Sequence, residues 1–296
     1  MSFASVVSCR SEGNMMSWIT CYDYSFARAV SESGVDFILV GDSGSMVALG
    51  ERTTSPATMD QMINFAKAVR KGAPSKPIVG DLPRGSYEPS DELAVLNAMR
   101  FAKEADCEAV KLEGGARVAQ RVAAIVGAGI PVIGHIGLTP QSSAQFGGYR
   151  VTGRSSEEEK WLVSEATALE QAGVSAILVE ATPPLVSKKI RDSLSVPVFG
   201  IGAGPNLDGQ LLIIHDVLGL YPDFRPKFAK NYLLEALREF TDYLEDVSDL
   251  VQFGRDTRRD GLYELSVRSL NHFAKEVAQG VFPSTEYHYA EKGAKQ

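Results

Sequence analysis

The sequence has few cysteines, no long apolar run and no surplus of positive charge. Its three cysteines, Cys9, Cys21 and Cys107, are too few and too scattered for a disulfide framework or a paired-cysteine metal site. They fit a reducing compartment, and we expect a cytoplasmic protein. No stretch of about 18 apolar residues occurs, and the first residues lack the charged start and apolar segment of a secretion signal. Neither a membrane span nor a secretion signal is therefore predicted.

The charge balance also excludes some partners. The net charge is −7, and no strongly basic block stands out. This argues against nucleic acid or an anionic membrane as the main partner. With 296 residues, of which 44% are hydrophobic and 23% charged, the chain has room for one α/β barrel or two smaller domains.

A recurring pattern runs along most of the chain: a short β-rich run, a polar or glycine loop, and an amphipathic helix. The β-rich runs cover 17–23, 37–40, 76–81, 108–113, 130–135, 175–180, 196–201 and 210–216. Eight such runs alternating with helices predict a (β/α)₈ TIM barrel, with a doubly wound open sheet as the alternative.

The pattern changes after the eighth run. Two charged amphipathic helices are predicted, from 226 to about 246 and over 262–279, with a polar connector over 252–261. Too few β-rich runs remain for a second core. We therefore predict a catalytic barrel over 1–221 and, over 222–296, helices that pack on the barrel or on a neighbouring subunit.

Charged side chains stand at the ends of five consecutive predicted strands. They are Asp42, Asp81, Lys111 with Glu113, His135 and Glu180. Active sites of α/β barrels lie where the strands end. Buried charges at one mouth are costly unless they bind a cation or carry out proton chemistry.

These residue types favour a metal-assisted reaction of a 2-oxo acid. Asp42, Asp81 and Glu113 offer only oxygen ligands, which suit Mg²⁺ or Mn²⁺. An ion held by two aspartates could chelate a 2-oxo acid and acidify the neighbouring C–H bond. Lys111 could neutralise the carboxylate or the developing charge, and Glu180 could remove the proton, giving a metal-bound enolate.

Each of these residues also has a purely structural interpretation. The two aspartates could cap helices, Lys111 and Glu113 could simply pair, and His135 could be a buried core histidine. Glu180 could order the proline-containing loop that follows it. The joint occurrence at one barrel face favours the functional interpretation.

Several strings along the chain resemble the ketopantoate hydroxymethyltransferase family, in the same order from about residue 20 to 232. The most specific string is GHIGLTPQS at 134–142. The others are Gly41–Ser43 with Met46, Asp81–Pro83 with Ser86 and Tyr87, Val110–Gly115, Gly147–Tyr149, Gly153 with Arg154, and Gly200–Gly204 with Asp208–Gln210.

The resemblance implies a (β/α)₈ barrel related to the isocitrate lyase and phosphoenolpyruvate mutase superfamily. The implied reaction transfers a one-carbon unit from 5,10-methylenetetrahydrofolate to 3-methyl-2-oxobutanoate, giving ketopantoate for pantothenate and coenzyme A synthesis. The implied partners are therefore a small 2-oxo acid and a folate. The family commonly forms a decamer, so a homo-oligomer is expected.

The resemblance also implies roles for individual residues. Asp42 and Asp81 would bind Mg²⁺ directly, with Glu113 in the coordination sphere, and Glu180 would accept the proton. The substrate pocket implied by the resemblance contains Asp42, Ser43, Asp81, Lys111 and His135.

The chain departs from the family pattern at several positions. Arg84 stands where Phe is usual, Phe65 where His is usual, and Thr152 where Gln is usual, and Gly44-Ser45 differs from the usual order. Residues 242–264 resemble an insertion. Arg84 could lower the pKa of Asp81 or read an extra carboxylate. A Mg²⁺-dependent lyase or aldolase for another 2-oxo acid, or a non-catalytic paralogue, therefore stays an alternative.

Overall fold

Eight parallel strands form a closed barrel in the order β1 to β8, as seen in a computed structural model that describes residues 3–242 and 261–289. The strands are β1 Met16–Thr20, β2 Phe37–Val40, β3 Ile78–Asp81, β4 Ala109–Glu113, β5 Val132–Gly137, β6 Ala176–Glu180, β7 Val198–Ile201 and β8 Gly209–Ile213. Strand β8 pairs in parallel with β1. The predicted barrel is confirmed, and the open sheet is excluded.

Helices surround the barrel and follow most of its strands. The described helices are α1 Phe3–Glu12, α2 Tyr24–Glu32, α3 Gly44–Val47, α4 Met59–Gly72, α5 Asp91–Ala105, α6 Ala119–Gly127, α7 Ser156–Gln171, α8 Pro184–Asp192, α9 Ile214–Leu218, α10 Leu233–Asp242 and α11 Leu262–Ala278. No helix within 3–242 or 261–289 is long and apolar enough to cross a membrane.

Local sequence explains where several helices begin. The hydroxyl of Ser90 accepts a hydrogen bond from the Leu93 N–H and caps α5. Ser155 caps α7 in the same way, and Glu158 accepts from the N–H groups of Gly153 and Arg154, so a capping box does not form there. A complete capping box occurs earlier in the chain, at the start of α4.

The interior of the barrel has an aromatic floor made of Trp18, Phe37 and Phe199. The ring of Trp18 lies 4.1 Å from that of Phe37 and 4.9 Å from that of Phe199, centroid to centroid. These residues lie in the middle of β1 and near the starts of β2 and β7. The aromatic floor fills the barrel interior near the N-terminal ends of the strands. The polar residues at the C-terminal strand ends therefore lie above a layer of apolar side chains.

Several boundaries differ from the prediction. The run over 210–216 divides into β8 and α9, and β5 continues two residues beyond His135. The helix expected from 226 begins at Leu233, because Phe228 and Ala229 are buried in an irregular segment before it. Helix α1 was not predicted, since it buries only Val6 and Cys9. Most of the predicted insertion, the end of the helix expected to reach 246, and nearly all of the connector lie in 243–260, outside the described residues.

Helix α11 packs against α2 and β1. Its buried face carries Leu270, Phe273 and Val277. The side-chain oxygen of Asn271 accepts a hydrogen bond of 2.7 Å from the Gly34 N–H. These contacts attach the last described helix to the barrel wall.

Candidate active site

A buried ion cluster lies where β3 and β4 end, and Lys111 is at its centre. The Nζ of Lys111 lies 2.8 Å from both carboxylate oxygens of Asp81 and 3.3 Å from Oε1 of Glu113. All three side chains are almost completely buried. The positions follow from register, since Asp81 pairs with Lys111 across β3 and β4 and Glu113 lies two residues further on the same face.

Asp42 joins this cluster from the loop after β2. Its backbone N–H donates a 2.9 Å hydrogen bond to Oδ2 of Asp81. Its own Oδ2 accepts a 3.0 Å hydrogen bond from Nε2 of Gln141. The two predicted metal-binding aspartates are therefore adjacent. Gln141 holds the carboxylate of Asp42, and Lys111 holds that of Asp81.

His135 lies between two carboxylates. Its Nδ1 is 3.3 Å from Oε1 of Glu113 and its Nε2 is 3.1 Å from Oε2 of Glu180, although neither contact has the angle of a hydrogen bond. Burial and the charge of Lys111 lower the pKa of His135, but the two carboxylates outweigh both and raise it to about 9. These surroundings favour the protonated ring of His135, which lies between Glu180 and the ion cluster.

Burial acts on every carboxyl of the cluster, with different results. Burial and the neighbouring Asp81 raise the pKa of Asp42 well above its usual range. Burial also raises the pKa of Asp81, against the opposing charge of Lys111. For Glu113 the effect of burial is outweighed by Lys111 and His135, so its pKa is lowered. Burial and mutual repulsion thus disfavour the ionised forms of Asp42 and Asp81, and a further cation beside them would favour ionisation.

The charge balance of the cluster fits a divalent cation. Asp42, Asp81, Glu113 and Glu180 are four acids against two cations, so full ionisation leaves two negative charges uncompensated. Even so, no three His, Cys, Asp or Glu side chains in the described ranges converge on a point where a metal ion would sit. The ammonium of Lys111 instead contacts both oxygens of Asp81. A metal ion on Asp81 would have to share this carboxylate with Lys111.

Two residues without an assigned role in the sequence prediction hold the cluster together, Gln141 and Tyr87. Gln141 donates from its backbone N–H to Oε2 of Glu113 at 3.0 Å, in addition to holding Asp42. The Tyr87 hydroxyl lies 2.8 Å from Oε1 of Gln141 and accepts from the Glu113 N–H at 3.2 Å. Both residues lie within the sequence strings that resemble the family. That resemblance was the one signal in the sequence that could have identified them.

Ser43 is oriented by a second hydroxyl network. The Tyr22 hydroxyl lies 2.8 Å from Oγ of Ser43 and donates to Oγ1 of Thr20 at 2.7 Å. Phe65 packs edge-on against the Tyr22 ring at 5.9 Å between centroids. The unusual Phe65 therefore supports the substrate-side serine through Tyr22, from behind the pocket.

The other departures from the family pattern lie outside the pocket lining. Arg84 is exposed, and its Nη1 is 3.5 Å from Oγ of Ser55. Burial, Lys111 and Glu113 dominate the pKa of Asp81, and Arg84 is not among its main causes. Thr152 is buried with its hydroxyl 3.5 Å from that of Thr182. Arg84 thus gives no support to a pocket that reads an additional carboxylate.

A cavity of about 190 Å³ opens above the aromatic floor at the C-terminal ends of the strands. Its polar end consists of Asp42, Ser43, Lys111, Glu113, His135 and Glu180. Of the predicted substrate residues, Asp81 is the one that does not line the cavity, because it lies behind Lys111. The rest of the wall is mainly apolar and aromatic, so a small anion would be held in a largely dry site.

Comparison with known proteins gives consistent results along the sequence. The family model of ketopantoate hydroxymethyltransferase matches residues 1–254. The 3-methyl-2-oxobutanoate hydroxymethyltransferase of Heliobacterium modesticaldum is 45% identical over 280 residues, which cover 95% of this chain and 92% of the relative. The enzyme of the same name from Thermus thermophilus is 43% identical over 278 residues, covering 94% and 96%.

Solved structures show the same fold at much lower identity. The phosphoenolpyruvate phosphomutase of Streptomyces platensis matches with a TM-score of 0.59 at 14% identity, over 93% of this chain and 98% of that one. A 2,3-dimethylmalate lyase of the phosphoenolpyruvate mutase/isocitrate lyase superfamily matches with a TM-score of 0.57 at 16% identity, over 93% and 97%. These matches agree with the expected barrel fold.

Proposed function

The chain belongs to the ketopantoate hydroxymethyltransferase family, and from that premise we propose that it transfers a hydroxymethyl group from 5,10-methylenetetrahydrofolate to 3-methyl-2-oxobutanoate. The observation that carries the proposal is the juxtaposition of three carboxyl groups, those of Asp42, Glu113 and Glu180, with Lys111 and His135 in the wall of a largely apolar cavity. Such a site can hold a small oxo acid and move a proton while excluding water.

The excess negative charge of the cluster supports a Mg²⁺ ion held by Asp42 and Asp81, with Glu113 nearby. When bound, Mg²⁺ supplies a Lewis acid that polarises the 2-oxo group and makes the C3–H bond more acidic. The Gln141 amide holds Asp42 in place for this role.

The remaining residues bind the oxo acid and move the proton. Ser43, oriented by Tyr22, donates a hydrogen bond to the substrate carboxylate, and Lys111 places a positive charge beside it. Glu180 lies in the cavity wall and removes the proton from C3. The ring of His135, 3.1 Å from Oε2 of Glu180, keeps this carboxylate directed into the cavity.

The transfer balances with one molecule of water. The enolate carbon C3 forms a C–C bond to the folate methylene, and both C–N bonds of that methylene break. Water supplies the hydroxyl oxygen of the product. Its hydrogens and the proton from C3 provide the hydroxyl hydrogen and the two N–H hydrogens of tetrahydrofolate.

Deuterium exchange tests this function in two halves. The protein is incubated with Mg²⁺ and 3-methyl-2-oxobutanoate deuterated at C3, with and without 5,10-methylenetetrahydrofolate, and both deuterium loss and ketopantoate are followed. We expect deuterium loss without folate and ketopantoate only with it. Exchange of another 2-oxo acid alone would favour a lyase or aldolase, and no exchange with any oxo acid would favour a non-catalytic paralogue.

The role of Glu180 is tested by Glu180→Gln, with exposed Glu51→Gln as the matched control. We expect Glu180→Gln to abolish deuterium loss while Mn²⁺ still binds, as followed by electron paramagnetic resonance. Exchange retained at the wild-type rate would exclude Glu180 as the base.

A further inference from the structure

The cavity is also lined by residues to which the proposed proton chemistry gives no role. They are Tyr221, Phe224, Phe228 and Tyr289 together with Asp216, and we call this part of the lining the aromatic end. The rings of Phe228 and Tyr289 meet edge to face at 6.2 Å between centroids. Four aromatic side chains beside one carboxyl group suit a planar ligand that carries hydrogen-bond donors. Aromatic rings stack on planar ligands, and the carboxyl group supplies acceptors.

The loop after β7 fixes the position of the Phe228 ring at the mouth of the barrel. Gly202 has a φ of +63°, and a Cβ added there would overlap the Phe228 ring. A glycine at this position therefore satisfies both the left-handed backbone and the close approach of the ring. The aromatic end thus follows from the fold of the described residues.

Asp216 has no hydrogen-bond partner for its carboxyl group within the described ranges, although only 5% of the residue is exposed. Burial raises its pKa to about 7, against the charge of Arg225. The Nε–H of Arg225 donates a hydrogen bond of 3.1 Å to the Ala229 carbonyl. The Asp216 carboxyl group lies at the cavity surface without a donor among the described residues, so a ligand in the cavity that brings N–H donors would pair with it.

We propose that Asp216 and the aromatic end form the pterin subsite of the folate co-substrate. The carboxylate of Asp216 accepts two hydrogen bonds from the neighbouring N3–H and 2-amino groups, and the aromatic side chains hold the ring plane. This assignment rests on the proposed function. A carboxylate matches two adjacent, parallel N–H donors in the same way as it matches an arginine fork.

The placement of the two ends agrees with this assignment. The charge of Glu180 raises the pKa of Tyr289, after the larger effect of burial, so the aromatic end adjoins the base. Phe224 is 63% exposed, so this end opens to solvent. A pterin held here would keep its methylene group directed toward the polar end while the rest of the folate extends outward.

The test compares two ligands that differ in one donor: tetrahydrofolate and its analogue lacking the 2-amino group. Dissociation constants are measured by fluorescence quenching, in the presence of saturating ketopantoate, for wild type, Asp216→Asn and Asp223→Asn. Asp223 is an exposed acid seven residues further on and serves as the matched control. We expect wild type and Asp223→Asn to bind tetrahydrofolate roughly 10- to 100-fold more tightly than the analogue. Asp216→Asn should bind both ligands alike. The side-chain NH₂ of asparagine would face the 2-amino group, and two donors form no hydrogen bond with each other.

The outcomes separate this inference from the proposed function. Equal binding of the two ligands by wild type would overturn the subsite, and so would unchanged discrimination in Asp216→Asn. The first comparison needs only wild type, so it decides the matter even if the variant does not fold. Deuterium loss from 3-methyl-2-oxobutanoate without folate reports on the polar end. Absence of that exchange in wild type would count against the proposed function, whatever the ligand comparison shows.

Discussion

Replacing Tyr87 with phenylalanine removes a single hydroxyl that connects the ion cluster to the loop after β5. Tyr87 is fully buried. Its hydroxyl accepts from the Glu113 N–H at 3.2 Å, and its proton has the Gln141 Oε1 at 2.8 Å and the Glu113 carbonyl at 3.0 Å as acceptors. Phenylalanine keeps the ring and its packing. The change therefore isolates the hydrogen bonds.

The magnitude follows from the groups that lose their partner. A buried donor or acceptor left unsatisfied costs about 1 to 3 kcal/mol, and Tyr87→Phe affects the Glu113 N–H and the Gln141 side chain. We expect a loss of about 2 to 6 kcal/mol in the free energy of unfolding. At roughly 2 °C per kcal/mol for a chain of this size, the Tm should fall by about 4 to 12 °C.

The assay is thermal unfolding followed by circular dichroism, with Tyr24→Phe as the control. Tyr24 is 52% exposed, so its loss of a hydroxyl should change stability by no more than about 0.5 kcal/mol. Because Gln141 also holds Asp42, Tyr87→Phe should weaken Mn²⁺ binding roughly 10-fold. Equal Tm values for the two variants would refute the argument that this network stabilises the fold.

Two further predictions concern the cluster and the barrel mouth. Lys111→Met leaves buried carboxyls without their ammonium, so without metal the unfolding free energy should fall by about 3 to 5 kcal/mol. Added Mg²⁺ should then raise the Tm more than in wild type, and an equal rise would contradict the shared use of Asp81. Gly202→Ala should cost about 1 to 3 kcal/mol in urea unfolding, because of backbone strain and the displaced Phe228 ring. Gly127→Ala, where a Cβ meets nothing within 4 Å, should be neutral or slightly stabilising, and equal losses would contradict the steric argument.

The barrel could be predicted because each strand is a short apolar run bounded by glycine, proline or charge. Strand β2 is the simplest example, since all four of its residues are buried. The end of β8 could not be placed from apolar content, since Ile213 and Ile214 continue the run into α9. The burial of Ile214, Val217 and Leu218 has helical spacing, and this was the signal that the run changes structure.

The side chains at strand ends were predictable because register places them. Lys111 and Glu113 share a face by their spacing of two, and they meet at 3.3 Å. The supporting groups come from distant loops, and no local pattern places them. Gln141 contacts Asp42 across 99 positions of sequence. Asp216 was included in a predicted strand, so its position in the cavity wall became visible only in the fold.

The two ends of the cavity also predict an order of binding. Phe224 of the aromatic end is 63% exposed, whereas Asp42 and Lys111 are buried, so a ligand that extends past Phe224 to solvent would lie above the polar end. A folate held at the aromatic end would cover an oxo acid bound beneath it. We therefore expect 3-methyl-2-oxobutanoate to bind first and tetrahydrofolate to leave before ketopantoate. Product inhibition decides this order: ketopantoate should compete with the oxo acid, and tetrahydrofolate should be noncompetitive with it. Competition between tetrahydrofolate and the oxo acid would mean that the folate reaches the polar end, and the two-ended cavity would then be the wrong description.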